Sequence, residues 1–470
     1  MAFFVKNYTF AVILVKNLVI VKKGKSRQGI IYRVFRAYLR FVHDKLFYRK
    51  SYRLNTCNIP KDGTPVLIAS NHQNCLCDPV GVIVSFKDRK PSALARADVF
   101  SVHPLIGGIL RKMGLLPAYR LTFDGEESLG KNKEVFNVSG NELVGGRSIL
   151  IYPEGAHQDK HWLGDFSFGY TKMAFEAAEL DDFRTEIFIL PCCNHYSDYY
   201  GLQKDVLLCY GTPVSLMPFY ELYKTKPRTA QRQVNTLVRE QMNGMMLNIT
   251  DLDNYGAVDF LRNTYGLGYA AKNGFRADCL PEKLESDRLF FESLEKAKAA
   301  DSVSVQQVYD DTLKYEEGIR TLRISDSNFD HTPSWGAIFA SIVAIVALFP
   351  VWLFSLWPNI IIYKVPELVL HRVKDKMFYN SFLYGISVLV TMPLLYTLTF
   401  VVVGVYVNVW VALVYALALP WLGLFAWHYS RYVAKTVRHI RFRRLARTDK
   451  LEALRHLRTM IYEKLNNILE

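Results

Sequence analysis

Apolar and polar positions follow three different rhythms along this chain. Between Arg27 and Phe47, Ile30, Ile31, Val34, Phe35, Tyr38, Leu39 and Val42 recur at helical spacing, with Arg33, Arg36 and Arg40 in the gaps. This pattern predicts a helix with an apolar stripe and a basic face, suited to lying in a membrane interface; packing against a folded domain is the alternative. From 55 to 250 the rhythm shortens. Pro65–Ser70, Ser148–Tyr152 and Glu186–Pro191 are brief apolar runs that each stop where a polar cluster begins. They predict buried, largely parallel strands that deliver loops at their carboxyl ends. Helical patterns lie between and after them, notably 169–180 and 228–247. The fold class expected is an α/β domain, a mostly parallel sheet with flanking helices, followed by a helical arm and a C-terminal α-helical membrane region.

The arm occupies residues 251–333, with helices expected near 281–299 and 303–322 and charges expected to be solvated. After it, Gly336–Tyr363 and Asn380–Trp427 carry no charge. Length alone fits three spans, at 336–358, 381–403 and 405–427. Charge placement favours a two-span hairpin at 381–427, with 336–363 re-entrant or interfacial. That path keeps Lys364, Arg372, Lys374, Lys376 and the basic tail on one side, as the positive-inside bias asks. Pro350 and Pro358 interrupt the first apolar run, and Trp352 and Trp357 suit an interface. The run Tyr8–Val21 is broken by Lys16, lacks a small-residue cleavage site and is short for a span, so neither a signal peptide nor a crossing is expected there.

Charge sharpens the membrane reading. The net charge is +14, yet residues 1–60 hold thirteen Lys and Arg against Asp44 alone, and 431–447 add seven bases and no acid. The middle of the chain is therefore net acidic. Basic flanks beside apolar stretches suit anionic membrane lipids, whereas a nucleic-acid partner would call for charge on the folded domain itself. The seven cysteines show no framework spacing and read as reduced thiols facing a cytoplasm-like compartment.

Two motifs carry chemistry. Ser70-Asn71-His72 leaves the first apolar run, and Asp78-Pro79 reads as a helix start with Asp78 as cap. An imidazole oriented by a carboxylate is a general base able to take a hydroxyl proton near neutral pH. Six residues of separation put the pair on no common helix face, so they must meet across a turn. The other motif, Tyr152-Pro153-Glu154-Gly155, leaves another apolar run. Cys77 as a nucleophile, and zinc held among His72, Cys75, Cys77, Cys192, Cys193 and His195, are alternatives. The spacings match no standard metal site, and small buried cysteines explain them equally well.

With these residues in place, the chain resembles the glycerol-3-phosphate and lysophosphatidate acyltransferase family over roughly residues 50–215. The first block departs from the family's usual spacing, with five residues rather than four between His72 and Asp78. A further block resembles the family at Gly114–Arg120, preceded by Phe100, Pro104 and Gly107; the third is Tyr152–Gly155; the fourth is Ile189–Pro191 with Asn194, Tyr196 and Gly211–Pro213. His157, two places after Gly155, resembles the fungal-type glycerol-3-phosphate branch. The resemblance implies His72 as base and Asp78 as its orienting carboxylate. Arg120 would bind the acceptor phosphate. Glu154 would meet acceptor hydroxyls or organise the phosphate site, and Gly155 would let backbone amides approach an anion. Asn71 and His157 complete the implied substrate-binding set.

The donor implied is acyl-CoA or an acyl-carrier protein, with neither cofactor nor metal, and the acceptor a glycerol phosphate or lysophospholipid. The organisation expected is a basic amphipathic membrane-interface segment at 1–54, an acyltransferase domain at 55–250, the arm at 251–333, the membrane region at 334–430 and a basic cytoplasmic tail helix at 431–470. The whole is expected to be an integral membrane protein with its catalytic domain on the cytoplasmic face. Two other functions stay open: acylation of a different lysolipid hydroxyl, and a non-catalytic lipid-binding scaffold on the same fold.

Overall fold

Val66–Ser70 is buried at all five positions, so its side chains are covered on both faces, as a central parallel strand requires. The computed structural model describes residues 28–96, 100, 107–108, 114–118, 127–372 and 378–469. It divides into two units, Met1–Met246 and Leu247–Glu470.

In the first unit, a helix α1 (Ile30–Phe41) runs through a π-helical turn at Val42–Phe47 into strand β1 (Tyr48–Leu54). There follow β2 (Val66–Ser70), α2 (Cys77–Ser85), β3 (Ser92–Arg96), β4 (Leu115–Ala118), α3 (Glu127–Val144), β5 (Ser148–Ile151), α4 (Gly169–Glu179), β6 (Phe188–Tyr196), β7 (Lys204–Tyr210), β8 (Val214–Ser215) and α5 (Pro227–Met245). Among the described residues the sheet has eight strands in the order β1-β7-β6-β2-β5-β3-β4, with β8 beside β6. The pairs β2/β5, β2/β6, β3/β5, β3/β4 and β1/β7 are parallel, and β6/β7 and β6/β8 antiparallel.

On one face, Leu67, Ala69 and Ile149 pack with Met173 and Phe175 of α4 and with Val234 and Val238 of α5. Truncating a residue such as Leu67 to alanine would cost about 2–5 kcal/mol. β1 departs from the sequence expectation, which assigned it to the basic flank. It is a sheet edge, and edges tolerate charges such as Arg49, Lys50 and Arg53; Arg49 pairs with buried Asp205 at 2.6 Å. β6 also runs five residues past Pro191, where the apolar run ends.

The second unit begins with α6 (Tyr255–Asn263), α7 (Tyr265–Lys272), α8 (Leu280–Ala300) and α9 (Ser302–Leu322). The arm's charges are not all solvated as expected: Arg262, Lys283 and Asp287 are buried together, with Arg262 bonded to Asp287 at 3.2 Å. Beyond lie α10 (Trp335–Leu356), α11 (Asn359–Leu370), α12 (Tyr379–Tyr406, with a π-helical stretch at Gly385–Thr391), α13 (Val409–Leu445) and α14 (Asp449–Leu469). Among the described residues α10, α12 and α13 are long and apolar enough to cross a membrane, by length and composition.

Partners along α13 give the direction of each neighbour. Ile345 O accepts from Tyr429, while Trp357 O accepts from Tyr415, so α10 runs antiparallel to α13. Asn359 then bonds Leu419 O and Tyr363 bonds Gly423 O, so α11 doubles back. Tyr396 of α12 reaches Asn359, and Gly404 faces Ala412 near the hairpin tip. At the opposite end, the tail folds onto the arm. Leu451, Leu454, Ile461 and Leu465 form the buried face of α14. Arg458 reaches Asp326 at 2.8 Å and Asp330 at 2.7 Å, and Tyr265 bonds Asn466 at 2.7 Å.

Candidate active site

The register of the sheet brings the two motifs together. Ala69 pairs with Ile151, so β2 and β5 end side by side and release His72 and Glu154 at the same edge. His72 Nδ1 lies 2.8 Å from Asp78 Oδ2, with Asp78 fully buried and the His72 side chain 18% exposed. A carboxylate at that distance accepts the Nδ1 proton and leaves Nε2 as the nitrogen with a lone pair toward substrate. Between the pair, Cys75 takes a left-handed conformation, φ 41°.

Asp78 differs from the expected helix cap. α2 already begins at Cys77, with Leu76 at the cap position. The Asp78 carboxylate is turned back onto the motif loop, where Oδ2 also accepts the N–H groups of Gln73 at 3.0 Å and Asn74 at 2.8 Å. Those donors and His72 engage the oxygen that a cap would need.

The loop after β5 closes over His72. Tyr152 stacks on the imidazole at 3.9 Å between centroids, and His157 meets its edge at 5.6 Å. Glu154 Oε1 accepts the His72 N–H at 3.1 Å, while Oε2 accepts from Gln158 and from the Gly164 N–H, each at 3.0 Å. The Gln158 N–H returns to His72 O at 3.0 Å. Burial pushes the Glu154 carboxyl upward, opposed by the Gly164 and His72 amides, the His72 charge and Gln158. Gly155 sits exposed at φ 69°, and its N–H is bonded to Tyr152 O at 3.1 Å. An L side chain would strain this turn.

Asn71 is buried and paired with backbone. It donates to Asn194 O at 2.9 Å and accepts the Asn194 N–H at 2.7 Å, continuing the β2/β6 ladder beyond Ser70. Arg120 and Pro104 lie outside the described residues. Burial raises the Cys77 and Cys192 thiols, so neither presents a thiolate. Among the described residues no group of three or more His, Cys, Asp or Glu side chains is placed to hold a metal ion.

Three comparisons bear on this site. Residues 52–195, less than half of the chain but including both motifs, match the family model described as Acyltransferase. Among solved structures, the 1-acyl-sn-glycerophosphate (LPA) acyltransferase PlsC from Thermotoga maritima is similar at 16% identity and a TM-score of 0.32, covering 45% of this chain and 79% of that one. So loose a superposition carries no residue correspondence. A search of curated proteins found no match. The chain thus contains a region similar to the acyltransferase family, set in a mostly parallel α/β sheet and followed by apolar helices of membrane-crossing length.

Proposed function

We propose that this protein is a membrane-bound glycerolipid O-acyltransferase. It moves a fatty acyl group from an acyl thioester, acyl-CoA or an acyl-carrier protein, to glycerol 3-phosphate or lysophosphatidate. The observation that carries the reading is the His72–Asp78 pair, 2.8 Å apart at the mouth of adjacent parallel strands, inside the region that matches an acyltransferase model.

In this reading His72 Nε2 takes the acceptor's hydroxyl proton as the oxygen attacks the thioester carbonyl. The tetrahedral intermediate collapses to the ester, and the departing thiolate takes the proton back from the imidazolium. No covalent enzyme intermediate forms. Asp78 keeps the productive tautomer and supports the transient positive charge. Arg120 binds the acceptor phosphate, for which a guanidinium fork is matched, and His157 lines the acceptor side of the base. Glu154 and Asn71 are better suited to holding the loops than to meeting substrate, since protein groups already engage their polar atoms.

α1 leaves Ile30, Ile31 and Val34 exposed beside Arg33 and Arg40, which suits an anionic lipid surface where the acyl chains reside. The return of α11 suits a re-entrant α10–α11 segment before a two-span hairpin, with the catalytic domain cytoplasmic.

The test is purified protein in detergent with a long-chain acyl-CoA, offered glycerol 3-phosphate or lysophosphatidate, with free thiol and lipid product followed. Ester product with either acceptor is expected. Lipid binding without turnover across both donor types would replace this reading with the scaffold.

A further inference from the structure

Asp78 has two oxygens, and the motif loop and His72 use only Oδ2. The other, Oδ1, is 2.6 Å from the hydroxyl of Tyr196, which is itself fully buried. Tyr196 reaches that point because β6 overhangs its neighbour. Ser70, the last residue of β2, pairs with Cys192, and β6 continues four residues further across the motif loop. Burial first, and then the Asp78 charge, push the Tyr196 phenol well above its ordinary range, so it stays protonated and donates.

We infer that Tyr196 is a positioning residue for the His72–Asp78 pair: its hydroxyl fixes the free carboxylate oxygen and draws off part of the charge that Asp78 presents to His72. The inference rests on the reading of His72 as a general base and adds the group that sets how strongly Asp78 pulls on it. A phenol hydroxyl on one oxygen weakens the carboxylate as an acceptor at the other. Without it the carboxylate favours the imidazolium more strongly, and the neutral, reactive imidazole is reached only at higher pH.

The other titratable groups facing the pair are unchanged by this substitution. Among the described residues they are Tyr152, Glu154 and His157 after β5, Cys75 in the motif loop, Cys77 on α2, Cys192 on β6 and, against Tyr196 itself, Tyr48 of β1. A difference between wild type and Tyr196→Phe therefore isolates the hydroxyl.

The experiment needs no substrate. Of the two forms of imidazole, diethyl pyrocarbonate acylates only the neutral one, and peptide mass spectrometry separates the His72 adduct from those on other nucleophiles. Its rate is measured from pH 5 to 9 on full-length protein in detergent. In Tyr196→Phe the half-point is expected to move up by about half a pH unit or more. On an Asp78→Asn background the same substitution is expected to move nothing. A 3-fluorotyrosine at 196, a stronger donor of nearly the same shape, should move the half-point down, which keeps the test decisive if the Phe variant folds poorly. An unchanged half-point in folded Tyr196→Phe, or an unchanged one with fluorotyrosine, overturns the inference. Turnover measured on the same samples is a separate reading: a shifted half-point in Tyr196→Phe alongside a wild type that transfers no acyl group would sink the proposed reaction and leave Tyr196's influence on His72 standing.

Discussion

Glu154 shows how a motif residue can be engaged by the protein's own loops. Its carboxylate bridges the His72 amide, 82 residues away in sequence, and the Gly164 amide, 10 residues away. Replacing it with alanine leaves both donors unsatisfied in a largely enclosed loop, which costs about 1–3 kcal/mol. Glu154→Ala is therefore expected to lower the unfolding temperature and kcat together while leaving the acceptor KM near wild type. A raised acceptor KM with an unaltered unfolding temperature would instead assign the carboxylate to substrate.

The contrast with His72 and Asp78 explains what can be read at this scale. Their pairing needs only one local turn, and the residue types announce the chemistry. Two of Glu154's three partners are backbone amides, which every residue but proline possesses, so nothing in the sequence marks them. The same holds for Asn71 and Gly155, whose place in a motif suggests substrate contact: their neighbours in sequence are informative, their hydrogen-bond partners are not.

At the scale of elements, the π-helical turn after α1 buries His43 beside Asp44, which Arg53 grips at 2.8 Å. Burial holds the His43 imidazole below its usual range despite the opposing hydrogen bond and charge of Asp44. The unfolded chain thus binds a proton more readily than the folded one. Stability from this group is full above the unfolded value of about 6.5 and is lost as pH falls through the lower folded value. The unfolding temperature of the first unit should fall as pH drops below about 6.5, and His43→Gln should flatten that slope. An equal slope in both proteins would remove His43 as its source.

The elements that escape sequence reading share a cause. β1, Tyr48–Leu54, is an edge strand whose polar letters mimic a flank, and the overhang of β6, Cys192–Tyr196, lacks the alternation that reveals a strand. β2 and β5, buried throughout or nearly so, are legible because full burial demands an unbroken apolar run.

For the membrane part of the molecule, the contacts along α13 favour one path. Asn359 lies against Gly423, where a Cβ would come within 2.8 Å of the Asn359 oxygen, so the start of α11 is seated deep beside α13. Only about 18 Å of helix can form over the twelve residues of α11, too little to cross a hydrocarbon core of about 30 Å. With the tail clasped to the arm by Arg458, we propose that the arm, the connection between α11 and α12, and α14 share one side. Cysteines placed at Arg320 in the arm and at Arg372, in a background lacking exposed Cys57, should be labelled from the same side in sealed vesicles. Labelling from opposite sides would establish three full spans. No pattern in the sequence identifies the Asn359–Gly423 seat, because it joins two uncharged segments more than sixty residues apart.

The central claim is that His72 removes the acceptor's proton. The measurement that tests it most directly is the rate of thiol release from long-chain acyl-CoA by wild type and His72→Ala, purified with equal unfolding temperatures and equal insertion in vesicles. Loss of about a hundredfold or more in turnover with acyl-CoA binding retained is the predicted result. Turnover within a few-fold of wild type would contradict the account.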